Sequence, residues 1–302
     1  MKVNHEILKK LNIISNFEFE CENIGFLNHN KKNMISFLAD KKYIKYVNKN
    51  YNIKFLITYK NFNKLIKRKD IKLIYSEQPQ IDFISIWNFV SKKNYKTFDS
   101  IISKNTHIHQ TAFIAKKNVQ IGENVCIGPN VNVLEDVIIG DNCKIYSGTT
   151  LGCAFIHKRV DNKVIEEFHD GKLIIKNNVE IHSNCSIDKG ISLRGNTIIG
   201  ENTKINHLCY IAHSSIIGKD CLLHGNLSVL GSSKIGDRVN IHPGSTIGGW
   251  VNIGNDVTVI INSVVISDIP SNSEISGHYA LDSTVFMYKY FKFFDDPFKK
   301  KK

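Results

Sequence analysis

The stretch that decides the fold includes residues 199–218, IGENTKINHLCYIAHSSIIG, in which an isoleucine returns at every sixth position. The same phase runs from Ile175 to Val265, where sixteen successive sixth positions hold isoleucine, leucine or valine. One of these positions is Leu193. A small apolar, cysteine or threonine residue often follows four places later, as at Cys185 and Thr203. The region is therefore a repeat with a period of six residues.

A period of six matches neither the helical period of 3.6 nor the alternation of a half-buried strand. It is typical of a parallel β-helix, in which each hexad forms a short strand and a corner. Three hexads complete one coil, and stacked coils bury a continuous aliphatic column. Glycine, which often follows the aliphatic residue, suits a tight corner. The alternative, short strands of a β-sandwich, would not keep one phase for so long, so we expect a prism of about eight or more coils.

The repeat divides the chain into three regions. Residues 1–103 alternate between helical and strand patterns, which predicts a small α/β domain. Residues 104–277 form the predicted β-helix, interrupted at residues 152–174 by a polar, charged loop. Such a long loop is usually functional, although an insertion tolerated at a corner is the alternative. Residues 278–302 are expected to form a short amphipathic helix, over residues 281–294, and a basic tail.

Composition limits the function classes. The chain of 302 residues has no long apolar run and no signal-peptide pattern at its start, so we expect a cytoplasmic protein with no transmembrane segment. Seven scattered cysteines without a CxxC pair indicate small core residues, and no metal site is expected. The net charge of +12 reflects either a solvated surface or an acidic partner. Candidate partners are a nucleotide sugar, coenzyme A or an acidic carrier protein, whereas no motif indicates nucleic acid.

Histidines are the residues most suited to chemistry in this repeat. Five of them follow inward aliphatic residues by one or two places and should lie on the outer wall near corners: His182, His207, His213, His224 and His242. Taken alone, an outward histidine is usually only solvated. No carboxylate-rich group accompanies them, which makes a zinc site a weak interpretation.

Residues 205–218 resemble the active-site coil of the UDP-3-O-acylglucosamine N-acyltransferase family, whose hallmark is the segment Ile211-Ala212-His213. Residues 179–181 and 187–190 resemble the coil before it. Residues 35–43, ISFLADKKY, are similar to the uridine-binding segment of that family. The aromatic pair that sandwiches the base falls on Phe37 and Tyr43, with Asp40 between them. The resemblance covers about residues 24–280 and implies a left-handed β-helix and a homotrimer.

The resemblance also implies roles for individual residues. His213 would be the general base for an amine that attacks an acyl thioester, with a pKa near 6 to 7. Asn206 would hold its ring, and the backbone N–H of Gly231, 18 residues after His213, would stabilise the oxyanion. The loop would reach across to a neighbouring subunit and place three residues near the donor or the sugar: Phe155, His157 and His169. No tightly bound cofactor is implied, only acyl-CoA or an acyl carrier protein as co-substrate.

Two departures from the family pattern bear on the substrate. Asn206 stands where the lipid A enzymes usually have aspartate, and Trp250 stands near their second histidine. Residues 276–280 resemble the ending of smaller sugar acyltransferases. We therefore favour an N-acyltransferase for a nucleotide-linked amino sugar of a surface polysaccharide, such as lipopolysaccharide O-antigen.

Three alternatives stay open. The first is the N-acyltransferase of lipid A synthesis itself. The second, more remote, is a non-enzymatic or metal-binding β-helix protein that uses His182, His207 and His224. The third concerns Phe37 and Tyr43, which could be ordinary core residues of a strand and a helix.

Overall fold

A computed structural model describes residues 2–154, 157–160, 162–277, 282–285 and 288. Within these residues, three parallel sheets of eight, nine and eight strands form the walls of a prism. Each strand pairs with the equivalent strand of the coils before and after it. The mainly β fold class, with a parallel β-helix and a small α/β domain, is confirmed. The left-handed sense of winding was implied by the resemblance alone.

The walls follow one another in chain order and repeat in every coil. The strands of the first wall are Ile101–Ile102, Val119–Ile121, Val137–Ile139, Leu173–Ile175, Thr197–Ile199, Ile216–Ile217, Lys234–Ile235 and Asn252–Ile253. Those of the second wall are His107–Ile108, Cys126–Ile127, Lys144–Ile145, Glu180–Ile181, Lys204–Ile205, Leu222–Leu223, Asn240–Ile241, Thr258–Val259 and Glu274–Ile275. Those of the third wall are Phe113–Ile114, Asn132–Val133, Thr150–Cys153, Ser186–Asp188, Tyr210–Ile211, Ser228–Val229, Thr246–Ile247 and Val264–Val265.

The repeat residues behave as their period requires. The aliphatic residue of each hexad and the residue four places later are buried in one continuous cluster, as Ile205 and Cys209 are. One residue per hexad has a positive φ at the corner, and most of these residues are asparagine, aspartate or glycine. These residue types tolerate the left-handed region best. The exceptions include Leu208 and Trp250, with φ of 59° and 65°.

Leu193 corrects the interpretation of the repeat. Residues 189–196 leave the prism between the third-wall strand Ser186–Asp188 and the first-wall strand Thr197–Ile199. Ile175 pairs with Ile199, 24 residues later, so this coil holds one extra hexad. The prediction that Leu193 faces the prism is therefore wrong, since it packs in the N-terminal core. Because the inserted length equals the period, the repeat keeps its phase, and the sequence pattern does not reveal the insertion.

The N-terminal domain is built on a parallel sheet with the strand order Asn23–Ile24, Met34–Leu38, Ile53–Thr58 and Lys72–Tyr75. A short antiparallel pair, Val3–Asn4 with Glu20–Cys21, stands beside it. Its α-helices are His5–Lys10, Ile44–Lys49 and Pro79–Asn94, and its 3-10 helices are Lys41–Tyr43 and Lys60–Leu65. The long helix Pro79–Asn94 begins with proline, which suits a first helical turn.

The predicted loop packs on this domain of its own chain. It contains an antiparallel hairpin, His157–Val160 with Lys163–Glu166. Asn88, on the helix Pro79–Asn94, donates to the Glu166 carbonyl at 2.8 Å and accepts from the Phe168 N–H at 2.8 Å. The loop therefore reaches back to its own N-terminal domain. Whether it also meets a neighbouring subunit stays a prediction.

At the C-terminal end, residues 283–285 are helical, and the Asp282 carboxylate accepts from the N–H groups of Thr284 and Val285. Most of the predicted helix over residues 281–294, and the whole basic tail, lie outside the described residues. Among the helices that are described, none combines the length and apolar character needed to cross a bilayer.

Candidate active site

His213 lies at the corner between the third wall and the first, which we call the third corner. It follows the strand Tyr210–Ile211 and is stacked directly against Gly231 of the next coil, whose neighbour Ser232 donates to the His213 carbonyl at 2.9 Å. A Cβ on Gly231 would lie 2.4 Å from His213 Nε2. The imidazole therefore rests on the glycine backbone, and only glycine leaves room for it. The stacking expected from their 18-residue separation is present.

The surroundings of His213 keep its ring neutral. Its Nδ1 atom is buried and has no hydrogen-bond partner in the described chain. Burial, with smaller effects from the positive Arg194 and from His169, lowers the pKa of His213 to about 4. The pKa near 6 to 7 expected from the sequence is therefore too high, because burial under the loop and the nearby positive Arg194 disfavour the imidazolium.

His169 comes from the long loop and is the predicted loop residue that reaches this corner. Its ring centroid lies 6.3 Å from that of His213, with the two planes almost perpendicular at 84°. His169 is 7% exposed, and both its ring nitrogens lack a partner among the described residues. Burial lowers its pKa as well. The backbone of His157 lies in the loop hairpin, and Phe155 lies outside the described residues.

Asn206 lies at a different corner, between the second wall and the third, which we call the second corner. Its side-chain oxygen accepts from the backbone N–H of His207 at 2.8 Å. Asn206 and His213 are seven residues apart, with the strand Tyr210–Ile211 between them, so they occupy successive corners of the prism. Within one chain the Asn206 side chain therefore bonds to the neighbouring His207, and its role in holding the His213 ring stays a prediction.

Asp188 is an acidic residue at the third corner that the sequence did not single out for a role. It is 3% exposed and accepts a hydrogen bond from the Tyr210 hydroxyl at 2.8 Å. Burial raises the pKa of Asp188 to about 6, against the opposing effects of Tyr210 and the backbone N–H of His213. Asp188 and His213 are 25 residues apart because of the inserted hexad, so an 18-residue rule could not bring them together.

A cavity of about 630 Å³ opens between the N-terminal domain and the third corner. All three predicted nucleotide-binding residues line it: Phe37, Asp40 and Tyr43. The Phe37 ring packs 4.8 Å from that of Phe83, so one face belongs to the core, whereas Tyr43 is 45% exposed. Both rings therefore line the cavity, but Phe37 also packs in the core, whereas Tyr43 is exposed to solvent.

Asp40 has a local structural task in addition to its place on the wall. Its carboxylate caps the 3-10 helix Lys41–Tyr43 by accepting from the Lys42 N–H at 3.0 Å, and it pairs with the Lys42 ammonium at 2.9 Å. These contacts lower the pKa of Asp40. Direct contact of Asp40 with a nucleotide stays a prediction.

The cavity wall continues to the candidate base. Trp250 lines the cavity, and its backbone N–H donates to the carbonyl of Gly231 at 3.2 Å, beneath the His213 ring. Arg194, from the inserted hexad, lines the same cavity and pairs with Glu167 of the long loop at 2.7 Å. The aromatic end of the cavity and the third corner thus share one continuous wall.

The other four of the five repeat histidines predicted to lie near corners are at the second corner. The rings of His182 and His207 lie 5.0 Å apart, and those of His224 and His242 lie 5.3 Å apart. Within the described part of one chain, no group of three or more histidine, cysteine, aspartate or glutamate residues is arranged to hold a metal ion.

Comparisons with known proteins agree with the repeat. The model for the bacterial transferase hexapeptide, six repeats, matches residues 118–153, 196–231 and 214–249. UDP-3-O-acylglucosamine N-acyltransferase of Helicobacter pylori strain 26695 is 26% identical over 232 residues, covering 67% of either chain. The protein of the same name from Prochlorococcus marinus strain MIT 9515 is 30% identical over 240 residues, covering 66% of this chain and 65% of its own.

A solved structure of a UDP-N-acetylglucosamine acyltransferase aligns over 64% of this chain and 80% of its own, with 24% identity and a TM-score of 0.48. The match to the two curated relatives spans about two thirds of their length. Both relatives are named as acyltransferases, which is the enzyme class predicted from the sequence. The chain carries bacterial transferase hexapeptide repeats and is similar to UDP-3-O-acylglucosamine N-acyltransferases, which confirms the resemblance predicted from its sequence.

Proposed function

We propose that the protein is an N-acyltransferase that moves an acyl group from a thioester to the amine of a nucleotide-linked amino sugar. One observation carries the proposal: the cavity lined by Phe37 and Tyr43 shares its Trp250 wall with the corner where His213 rests on Gly231. A nucleotide sugar has the matching shape, with a flat base at one end and the reacting amine at the other.

The chemistry follows from the state of His213. The amine nitrogen bonds to the acyl carbon, the carbon–sulfur bond breaks, and the proton of the amine passes through His213 to the leaving thiolate. A neutral imidazole can accept that proton, and the low pKa of His213 keeps it neutral across the physiological range. The Gly231 N–H is our candidate donor to the tetrahedral oxyanion. Asp188, which accepts from the His213 backbone N–H, would fix the corner.

We extend the proposal to the acyl donor, the oligomeric state, the location and the acceptor. The net charge of +12 suits an acidic donor, either acyl-CoA or an acyl carrier protein, with no tightly bound cofactor. We expect a homotrimer acting in the cytoplasm, as the family resemblance implies. The acceptor we favour is an amino sugar of surface polysaccharide synthesis, because Asn206 and Trp250 depart from the pattern of the lipid A enzymes.

The second candidate is the reaction that the relatives' name describes, N-acylation of UDP-3-O-acylglucosamine in lipid A synthesis. The observation in its favour is the similarity at 26% and 30% identity over about two thirds of the chain. The two candidates share the base and the bond that forms. They differ in whether the acceptor already carries an acyl chain.

A product assay separates these possibilities. Purified protein is incubated with UDP-amino sugars, with and without a 3-O-acyl chain, and with acetyl-CoA or a 3-hydroxyacyl carrier protein. Mass spectrometry should detect an N-acylated sugar, and His213→Ala should abolish it. Product only with the 3-O-acylated acceptor would select the lipid A reaction. Absence of product with every pair, together with stoichiometric zinc in the purified protein, would favour the metal-binding interpretation.

A further inference from the structure

Two departures from the hexad repeat meet above the third corner: the long loop and the inserted hexad. The loop contributes Glu167 and the insertion contributes Arg194. Nη2 of Arg194 lies 3.0 Å from one carboxylate oxygen of Glu167 and 2.7 Å from the other. The two side chains are 10% and 5% exposed. Burying both charges costs desolvation, which makes a purely structural purpose for the pair a weak explanation.

Arg194 still has donors to offer. Its pair with Glu167 uses Nη2, whereas its Nε is buried without a partner in the described chain. A guanidinium carries five N–H donors in a fixed planar fork. Since Arg194 also lines the cavity, these donors can meet an acceptor that enters it. An oxyanion with several oxygens fits such a fork best.

Aromatic rings hold the guanidinium in position. It lies 5.3 Å from the ring centroid of Phe26 and 5.8 Å from that of Trp250. Trp250 occupies a left-handed corner position, with φ of 65°, that the much smaller Ser214 and Ser232 fill in the two preceding coils. A large side chain in that conformation is strained, and such strain is concentrated at ligand sites. The contact with Arg194 therefore gives a reason for an exposed indole at this position.

The position of Arg194 fits the middle of an elongated ligand. The cavity that it lines has Phe37 and Tyr43 at its aromatic part. Its positive charge also acts on His213 at the third corner. Among the residues lining the cavity, the other formal charge is that of Asp40, which is already paired with Lys42. A ligand that runs from the aromatic rings to His213 would thus pass one cationic fork.

We propose that Arg194, held by Glu167 and Trp250, binds the phosphate or diphosphate linkage of the acceptor, so that the two insertions select a phosphate-linked sugar. The inference rests on the proposed function, which places the base of the acceptor beside Phe37 and Tyr43 and its amine beside His213. It assigns to the inserted hexad a specificity role that the repeat itself does not supply.

Calorimetric binding of UDP and of uridine tests this inference without any thioester. The unmodified protein should bind UDP more tightly than uridine. Arg194→Met should weaken UDP binding by about 10- to 100-fold, the usual range for a lost hydrogen bond to a charged group, and leave uridine binding unchanged. The matched control is Arg238→Met, which removes an arginine paired with Asp256 at 2.7 Å elsewhere on the prism. It should change neither affinity.

Glu167→Gln distinguishes a ligand-binding arginine from a structural one. Removing the competing carboxylate should keep or tighten UDP binding if the fork serves the ligand. If the pair only ties the loop down, both variants should lose UDP and uridine binding in parallel, with a lower melting temperature. Should Arg194→Met fail to fold, Arg194→Lys keeps the charge without the fork and should give an intermediate loss for UDP alone.

Equal affinity for UDP and uridine in the unmodified protein, or no UDP binding at all, would overturn the inference even if acyl transfer were observed. UDP-selective binding that depends on Arg194 would support it even if no acyl transfer were found. The failure of the inference and the failure of the proposed reaction are therefore separable.

Discussion

The second and third corners of the prism offer opposite lessons about where chemistry arises in a repeat. The second corner carries more histidines, two pairs with rings 5.0 and 5.3 Å apart, and His224 is hydrogen-bonded to Asn240. The third corner carries a single repeat histidine, but two insertions and the N-terminal domain cover it. Burial there leaves nitrogens of His213 and His169 without partners among the residues that the structure describes. We therefore place the proposed site at the third corner because that corner is covered, although the second corner carries more histidines.

The largest effect that separates the corners is expected from removing the third-corner imidazole. His213→Ala should fold, since the ring rests on a glycine surface, and should lose roughly 10²- to 10⁴-fold in turnover. The matched control is His207→Ala at the second corner, which should retain most activity. Turnover of both variants with one amine acceptor and one thioester is the measurement. Equal losses in the two variants would erase the distinction between the corners.

Displacing the same ring without removing it should have the next largest effect. Gly231→Ala would place a Cβ 2.4 Å from His213 Nε2, so the imidazole must move. A shift of this size should reduce turnover by about 100-fold while the walls stay folded. Gly225→Ala is the control, because its added Cβ would meet only the His207 carbonyl, at 3.3 Å. An active Gly231→Ala enzyme would show that the packing does not position the base.

The acid limb of activity tests the burial of the third corner. Burial lowers the pKa of His213 to about 4, so the proton-accepting form should dominate above that pH. The value of kcat/KM should therefore rise with pH through about 4 and show no His213 limb near 6 to 7. Arg194 and His169 act on this ring, and Asp188, whose pKa is about 6, accepts from the His213 backbone N–H. A limb near 6 that persists in Asp188→Asn would contradict the burial argument.

The smallest effect is expected at the far end of the cavity. Tyr43→Ala removes an exposed ring and should weaken nucleotide binding by about 1–3 kcal/mol if the base stacks on it. Tyr51→Ala, which removes another exposed ring placed beside Arg68, is the control. Binding of UDP by both variants gives the comparison. Unchanged UDP affinity in a folded Tyr43→Ala protein would contradict stacking of the base on Tyr43.

The sequence predicts the prism well because its aliphatic period reports burial directly. It also predicts that Gly231 touches His213, since no insertion lies between those two coils. It fails where an insertion preserves the phase. The extra hexad conceals the true place of Leu193 and the approach of Asp188 to His213. Which residues meet at a corner depends on the assignment of every strand to a wall. Only that assignment shows that Asn206 and His213 lie at different corners.

The partners supplied by the long loop could not be predicted from spacing either. His169 and Glu167 reach the third corner because Asn88 anchors the loop to the N-terminal domain, a contact between residues about 80 positions apart. No local pattern reports such a contact. The sequence indicates that the loop is polar and long, and the fold alone shows which of its residues turn inward.

A crystal structure with a bound UDP-amino sugar tests the central claim most directly. The acceptor amine should lie within hydrogen-bonding reach of His213, about 2.6–3.2 Å from Nε2 or one water away, with the base beside Phe37 and Tyr43. An amine located at the second corner, beside His207 or His182, would contradict the assignment of the third corner as the active site.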